Sequence, residues 1–73
     1  MKMIEVISSN VVAVGYENNQ LFVDYKSGSY IDDNVPEEIF AGLLAAESKG
    51  KYMHAKVKGR YNYYRLEGGV SNV

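Results

Sequence analysis

The chain has 73 residues, no cysteine, one proline and a formal net charge of −1, and 47% of its residues are hydrophobic. This length allows a single folded domain, and a core of this size rarely supplies more than roughly 3 to 5 kcal/mol of net stability. The absence of cysteine excludes disulfides and thiolate metal sites. No apolar run reaches the roughly 20 residues that span a bilayer or the shorter stretch of a signal peptide, so we expect a cytoplasmic protein without membrane contact.

The first half of the chain alternates apolar and polar residues with the period of β-strands, in VVAVGY from residue 11 and LFVDYK from residue 21. Asn18 and Asn19 between these segments tolerate positive φ and predict a tight hairpin, and Gly28 predicts a second turn before a short strand. The sequence therefore predicts an antiparallel meander over Ile4–Ile31. Period two places Val12, Val14 and Tyr16 on one face of the first strand, and Leu21, Val23 and Tyr25 on one face of the second.

A helix is predicted from Pro36 to about Ser48, because proline suits the first helical position and Glu37 and Glu38 would face the positive end of the helix dipole. Gly50 is expected to close the helix as a left-handed cap, with Lys49 near the last carbonyls. Apolar residues repeat four apart and predict one apolar stripe, formed by Ile39, Phe40, Leu43 and Leu44.

The segment 51–58 fits two structures, since Met53, Ala55 and Val57 alternate as in a strand while Met53 and Val57 also share a helical face. A final strand is predicted near Tyr61–Leu66, because tyrosine favours strands. Residues 67–73 contain two glycines and little to bury, and we expect a flexible tail after a single domain over residues 1–66.

Several short motifs occur in a fixed order along the chain: SSN at 8–10, VGY at 14–16, LxVxY at 21–25, VP at 35–36, AxSxGxY at 46–52 and VKxxYxY at 57–63. Together they resemble the KTSC domain, a small module named for its occurrence at the C-terminus of lysyl-tRNA synthetases and also found free-standing in bacteria and phages. The resemblance covers residues 7–65, and Asp32 stands where the family usually has a tyrosine.

This resemblance implies a compact α+β module: a small antiparallel sheet with one main helix, a short second helix and a final strand. It favours the helical alternative for residues 51–58. It also suggests a connection with RNA metabolism, through the proteins in which the domain occurs, without specifying an activity.

Charge is divided unevenly along the chain. Residues 1–48 carry two lysines and eight acidic residues, a net charge of −6, whereas residues 49–65 carry six lysines or arginines and no acid, a net charge of +6. Cations gathered on one face attract phosphates, and tyrosines between them offer surfaces on which unpaired bases stack. The residues expected to contact nucleic acid are Lys49, Lys51, His54, Lys58, Arg60, Tyr61, Tyr63 and Arg65.

The same segment has a purely structural interpretation. Lysines keep a small domain soluble and pair with its acidic half, and tyrosines in a strand commonly belong to the sheet face or the core. In the final strand, Tyr61 and Tyr63 are expected on one face and Tyr64 on the other, while Tyr52 and Met53 are expected to pack against the first helix.

The remaining polar residues predict neither catalysis nor metal binding. His54 is the only histidine and has no serine, cysteine or carboxylate partner nearby in sequence. Asp32 and Asp33 are expected in a solvated turn, and Ser8–Asn10 in a local turn. We expect no enzyme activity, cofactor or metal.

Two classes of function remain. The first is a non-catalytic accessory module that binds RNA or another polyanion. The alternative is a protein-interaction module, such as a small homo-oligomeric inhibitor or ligand-sequestering protein of phage type.

Overall fold

A five-stranded antiparallel sheet and two helices make up the computed structural model, which describes residues 2–66. The strands follow one another in the sheet in chain order, and both helices lie between the fourth and fifth strands in sequence. This is the predicted α+β meander with a main helix, a second helix and a final strand. The elements are β1 Ile4–Glu5, β2 Val11–Glu17, β3 Gln20–Tyr25, β4 Gly28–Asp32, α1 Glu37–Ala45, α2 Lys49–Lys56 and β5 Tyr63–Leu66.

Both predicted turns are confirmed. Asn18 and Asn19 have φ of 51° and 64° and form the two-residue loop between β2 and β3. Gly28 begins β4 with φ of 154°, a conformation that side-chain-bearing residues rarely adopt. The two turns connect β2, β3 and β4 as neighbouring antiparallel strands, in the meander that the sequence predicts.

The core lies between one face of the sheet and the two helices. Val14 of β2 is opposite Val23 of β3, and Leu43 of α1 is fully buried against this face. Val35, just before α1, is equally buried, and its carbonyl accepts a hydrogen bond from the Tyr16 hydroxyl. The buried cluster comprises Val11, Val14, Leu21, Val23, Val35, Leu43, Met53 and Val57.

One strand departs from simple alternation. Val11 is opposite Tyr25 and Ala13 is opposite Asp24, so Val12 has no register partner and forms a β-bulge. The bulge turns Val11 into the core and leaves Val12 43% exposed. The expectation that Val12 shares a face with Val14 was therefore wrong, because the bulge interrupts the alternation between them.

The main helix is shorter than predicted. Pro36 lies at the N-cap and α1 runs over Glu37–Ala45, so the expected extension to Ser48 was wrong. Ser48 instead caps α2, its Oγ accepting a hydrogen bond from the Lys51 amide at 3.3 Å. Gly50 is not the predicted left-handed cap, since it lies within the first turn of α2.

Other helix predictions are confirmed. Lys49 Nζ donates to the carbonyls of Leu44 and Ala46 at 2.9 and 2.6 Å, at the C-terminal end of α1. The helical alternative for residues 51–58 is confirmed by α2. β5 begins at Tyr63, two residues later than predicted, and the predicted tail 67–73 lies outside the described residues.

The two helices pack closely at one glycine. A Cβ on Gly42 of α1 would collide with the Tyr52 hydroxyl of α2, which donates to the Ile39 carbonyl at 2.9 Å. Glycine therefore lets Tyr52 lie directly on α1, which confirms the expected contact between Tyr52 and this helix. Neither helix of the described chain is long and apolar enough to cross a membrane.

Candidate functional site

An open groove of about 750 Å³ runs between α2 and two loops of the sheet, and we refer to it as the basic groove. Residues before β2 and in the β3–β4 turn form one wall, and α2 forms the other. The groove is lined by Ser9, Asn10, Tyr25, Lys26, Ser27, Ser48, Gly50, Lys51, Met53, His54 and Lys58.

The lining of the basic groove is positively charged. Lys26 projects from the β3–β4 turn, while Lys51, His54 and Lys58 come from α2 and the residues that follow it. Gly50 and His54 are four residues apart and therefore share one face of the helix. None of the groove's described lining residues is acidic, so its electrostatic potential attracts anions.

A smaller cavity of about 210 Å³ adjoins the groove, and we refer to it as the tyrosine cavity. The two share Tyr25, Ser27, Met53 and Lys58, which lie at their junction. The complete lining of the cavity is Tyr25, Ser27, Tyr30, Asp32, Met53, Val57, Lys58 and Tyr63.

Sheet register explains why three tyrosines meet here. Tyr30 and Asp32 are alternate residues of β4 and therefore point to the same face, and Asp32 is opposite Tyr63 of β5. The Tyr30 ring lies 5.7 Å from the Tyr25 ring, edge-on, and 6.1 Å from the Tyr63 ring. The three rings form a row along the wall of the cavity.

Asp32 contributes an unusual carboxyl group to this cavity. The residue is 6% exposed, and within residues 2–66 its carboxyl has neither a hydrogen-bond partner nor an ion-pair partner. Burial, together with the charge of Asp33, raises its pKa to about 6. Since every fully buried side-chain oxygen in this part of the chain has a partner, the Asp32 oxygens open into the cavity.

The expectation that Asp32 lies in a solvated turn was therefore wrong. It occupies the last position of β4, where strand alternation directs its side chain towards the helices. Its presence also affects Tyr25, whose pKa rises to about 12 because of burial first and then the charge of Asp32. The local turn predicted for Ser8–Asn10 is confirmed, since Ser8 Oγ accepts hydrogen bonds from the amides of Asn10 and Val11.

The structure brings together half of the residues predicted to contact nucleic acid. Lys51, His54 and Lys58 line the basic groove, and Lys58 and Tyr63 line the tyrosine cavity. Tyr63 is 61% exposed, so its ring is accessible to a ligand.

The other predicted residues make structural contacts. Lys49 binds the C-terminal carbonyls of α1, Arg60 Nε donates to the Ala55 carbonyl at 3.2 Å, and Arg65 Nη2 donates to the Ser27 carbonyl at 3.1 Å. Tyr61 is half-buried and packs against the core. Of the six cations of residues 49–65, Lys51 and Lys58 are the two that line the basic groove.

Charge counting along the sequence missed several site residues. Lys26 lies in the acidic half of the chain, and only the β3–β4 turn brings it opposite α2. Tyr25 and Tyr30 look like ordinary strand residues in the sequence, and the burial of Asp32 depends on helices that follow it. Among the described residues there is no group of three or more potential metal ligands.

Comparisons with known proteins agree with the resemblance in the motifs. The family model of the KTSC domain matches residues 7–61 of this chain. A crystal structure of a KTSC domain protein from Yersinia pestis superposes with a TM-score of 0.87 and 26% sequence identity, covering 90% of this chain and 97% of that chain.

Two sequence relatives match over most of their length. An uncharacterized protein of Stutzerimonas stutzeri is 34% identical over 71 residues, covering 92% of this chain and 100% of the relative. A protein of Tsukamurella paurometabola is 39% identical over 64 residues, covering 84% of this chain and 96% of the relative.

Proposed function

The chain belongs to the KTSC domain family, and we propose that it is a non-catalytic module that binds single-stranded RNA through the basic groove. The observation that carries this proposal is the convergence of three lysines on a groove that leads into a cavity lined by tyrosines. These lysines, Lys26, Lys51 and Lys58, come from two separate parts of the fold.

The groove suits a phosphate backbone. Its lysines neutralise phosphates and release condensed counterions, which is the main source of affinity in nucleic-acid binding that is independent of sequence. Ser9, Ser27 and Ser48 line the same walls and offer hydroxyl groups to phosphate oxygens or ribose. A ligand without negative charge would use none of this arrangement.

Single-stranded RNA fits the site better than duplex RNA. A duplex keeps its bases stacked inside, whereas an unpaired base is free to stack on an aromatic ring. Tyr63 is accessible at the tyrosine cavity while the backbone would follow the groove. We place the protein in the cytoplasm, where RNA is available to it.

The test is equilibrium binding of a labelled, unstructured RNA, followed by fluorescence anisotropy at several salt concentrations. Binding that weakens steeply with salt supports the proposal. No binding at low salt overturns it.

A protein-interaction role is the second candidate, and exposed apolar side chains near β1 favour it. Ile7 is 99% exposed, and Ile4 and Val12 are 42% and 43% exposed. β1 is the first strand of the sheet and pairs only with β2 among the described strands. Light scattering at increasing protein concentration tests whether this edge supports a homo-oligomer, and an Ile7→Ser variant that abolishes any association would identify the contact.

A further inference from the structure

We infer that the tyrosine cavity binds one unstacked guanine base, with the Watson–Crick edge of the base donating hydrogen bonds to the Asp32 carboxylate. This inference rests on the proposed RNA-binding function and adds a base preference to it. The residues that would contact the base, Asp32 and the three tyrosines, are different from the lysines that would bind phosphate.

The size of the cavity suits one planar base. Sites that enclose a drug-sized molecule occupy roughly 300 to 1,000 Å³, whereas this cavity is about 210 Å³. It therefore suits one group of a larger ligand. The adjoining groove, of about 750 Å³, has room for the ribose and the phosphates on either side.

The walls of the cavity also match a base. Tyr25, Tyr30 and Tyr63 supply aromatic surface, and Met53 and Val57 of the helical side supply apolar surface. Bases stack on such rings with little dependence on sequence. The rings thus explain why a base would enter, but they do not select among bases.

Asp32 supplies the selection. An ionised carboxylate is an acceptor only and takes two parallel hydrogen bonds from adjacent donors. Because no group within residues 2–66 donates to this carboxyl, both of its oxygens are available to a ligand. A buried carboxylate without donors is costly, so a ligand that supplies two donors is bound in preference to one that supplies fewer.

Guanine is the base that presents two adjacent donors, N1–H and the N2 amino group, on its Watson–Crick edge. Adenine and cytosine each present one donor beside an acceptor, and uracil presents one donor between two acceptors. An acceptor facing the carboxylate is repelled. A well-formed bidentate pair discriminates against the wrong base by roughly 10-fold or more.

A cationic ligand is the chemical alternative, since carboxylates ringed by aromatic side chains also bind ammonium or guanidinium groups. The surrounding charges argue against it. Lys58 lies at the mouth of the cavity, and Lys26 and Lys51 line the groove through which the rest of such a ligand would pass. These lysines repel a basic peptide and attract the phosphates of a nucleotide.

The test compares three short oligouridines of equal length: one all-uridine, one with a central guanosine and one with a central adenosine. We expect wild-type protein at pH 7.5 to bind the guanosine RNA about 10-fold more tightly than the all-uridine RNA. Asp32→Asn replaces one acceptor by a donor, so the variant should lose this preference and favour adenosine. Asp33→Asn is the matched control, because it removes the neighbouring charge without altering the cavity, and it should keep the guanosine preference.

A second measurement uses the wild-type protein alone. The guanosine preference should fall when the pH is lowered from 7.5 to 5, because the Asp32 carboxyl then gains a proton and no longer accepts two hydrogen bonds. The other ionisable groups facing this carboxyl are Tyr25, Tyr30, Lys58 and Tyr63, with Asp33 beside it in the chain. A change of charge in the groove acts on the shared phosphate backbone and alters all three affinities alike, so the ratio between oligonucleotides isolates Asp32.

The outcomes separate this inference from the proposed function. Salt-dependent binding with equal affinity for all three RNAs overturns the guanine site and leaves RNA binding in the groove intact. An unchanged preference in Asp32→Asn also overturns the guanine site. No binding of any RNA overturns the proposed function and the inference with it, and binding of an arginine-rich peptide in place of RNA does the same.

Discussion

Asp32 and Asp33 are consecutive in the chain, but their carboxyl groups have opposite environments. Asp33 Oδ1 accepts hydrogen bonds from Gln20 Nε2 at 2.7 Å and from the Tyr64 hydroxyl at 3.3 Å. Asp32 faces the tyrosine cavity without a donor among residues 2–66. One carboxylate is therefore stabilised by the fold, while the other is held where its charge is unfavourable.

This difference predicts that Asp32→Asn stabilises the protein at neutral pH. The pKa of Asp32 is about 6 in the fold and 3.8 ordinarily, so the fold favours the protonated form. The protonated Asp32 carboxyl makes its full contribution to stability below about pH 4, and this contribution is lost as the pH rises through 6. At pH 7.5 we expect the free energy of unfolding of the variant to exceed that of wild type by about 1 to 2 kcal/mol, after allowance for solvent screening. At pH 3.5 we expect no difference.

Chemical denaturation at both pH values measures this difference. Asp33→Asn serves as the control, and it should be neutral or destabilising at pH 7.5 because it replaces a carboxylate that accepts two hydrogen bonds. Equal stability of Asp32→Asn and wild type at both pH values would show that the Asp32 carboxyl is fully solvated.

Leu43→Ala should destabilise the domain by about 2 to 5 kcal/mol, because Leu43 is fully buried and its removal leaves a cavity. That loss approaches the whole stability expected of a chain this small. Leu44→Ala is the matched control on the same helix, since Leu44 is 37% exposed and should cost much less. Thermal unfolding of the two variants decides the matter, and similar melting temperatures would mean that α1 packs with a different face.

Gly42→Ala should destabilise the contact between α1 and α2. The added methyl group would displace the Tyr52 hydroxyl and its hydrogen bond to Ile39, at a cost of about 1 to 3 kcal/mol. This exceeds the gain of up to about 1 kcal/mol from replacing a helical glycine.

Gly50→Ala provides the control for that prediction. A Cβ on Gly50 would meet only Asn10 Nδ2, at 3.9 Å, so the helix-propensity gain should prevail and raise the melting temperature. A higher melting temperature for Gly42→Ala as well would show that Tyr52 moves without cost.

The local sequence was sufficient to predict most of the fold. Asparagines at a two-residue loop and apolar alternation on either side determine a hairpin whatever follows them, and the strands and turns were found on that basis. The bulge at Val12 was missed because periodicity assumes an uninterrupted strand. Gly50 was misassigned because a glycine after an apolar stripe fits both the end of one helix and the beginning of the next.

The candidate site was less predictable because it joins residues distant in sequence. Lys51 and Lys58 were found from the run of positive charge, but Lys26 reaches them only through the β3–β4 turn. The side chains of Lys49 and Arg65 donate to backbone carbonyls, and these hydrogen bonds depend on tertiary contacts that the charge run does not reveal. Asp32 was expected in solvent because two adjacent acids usually are, and only strand alternation beneath two helices buries it.

Tyr63→Leu should weaken RNA binding by about 1 to 3 kcal/mol without changing its salt dependence, because it removes a stacking surface and no charge. Tyr64→Leu is the control, since Tyr64 is the next residue of β5 and points to the other face of the sheet, where it contacts Gln20 and Asp33. Anisotropy titrations at two salt concentrations measure both effects. An equal loss of RNA affinity in the two variants would show that the effect comes from β5 as a whole and not from the tyrosine cavity.

The central claim is that RNA follows the basic groove, and charge reversal tests it most directly. Lys51→Glu with Lys58→Glu reverses two charges that line the groove. Lys56→Glu with Arg60→Glu reverses two exposed charges that do not line the groove. Lys56 lies two residues after His54 and therefore on the opposite side of α2. Both double variants have the same net charge.

The decisive measurement is the slope of log affinity against log salt concentration for single-stranded RNA. Three groove lysines should neutralise about three phosphates, which gives a slope near −0.7 times three, or about −2. We predict that wild type and Lys56→Glu/Arg60→Glu keep this slope, and that Lys51→Glu/Lys58→Glu binds weakly with a slope nearer zero. Equal slopes and equal affinities for the two double variants would contradict the account, because binding would then depend on net charge and not on the groove.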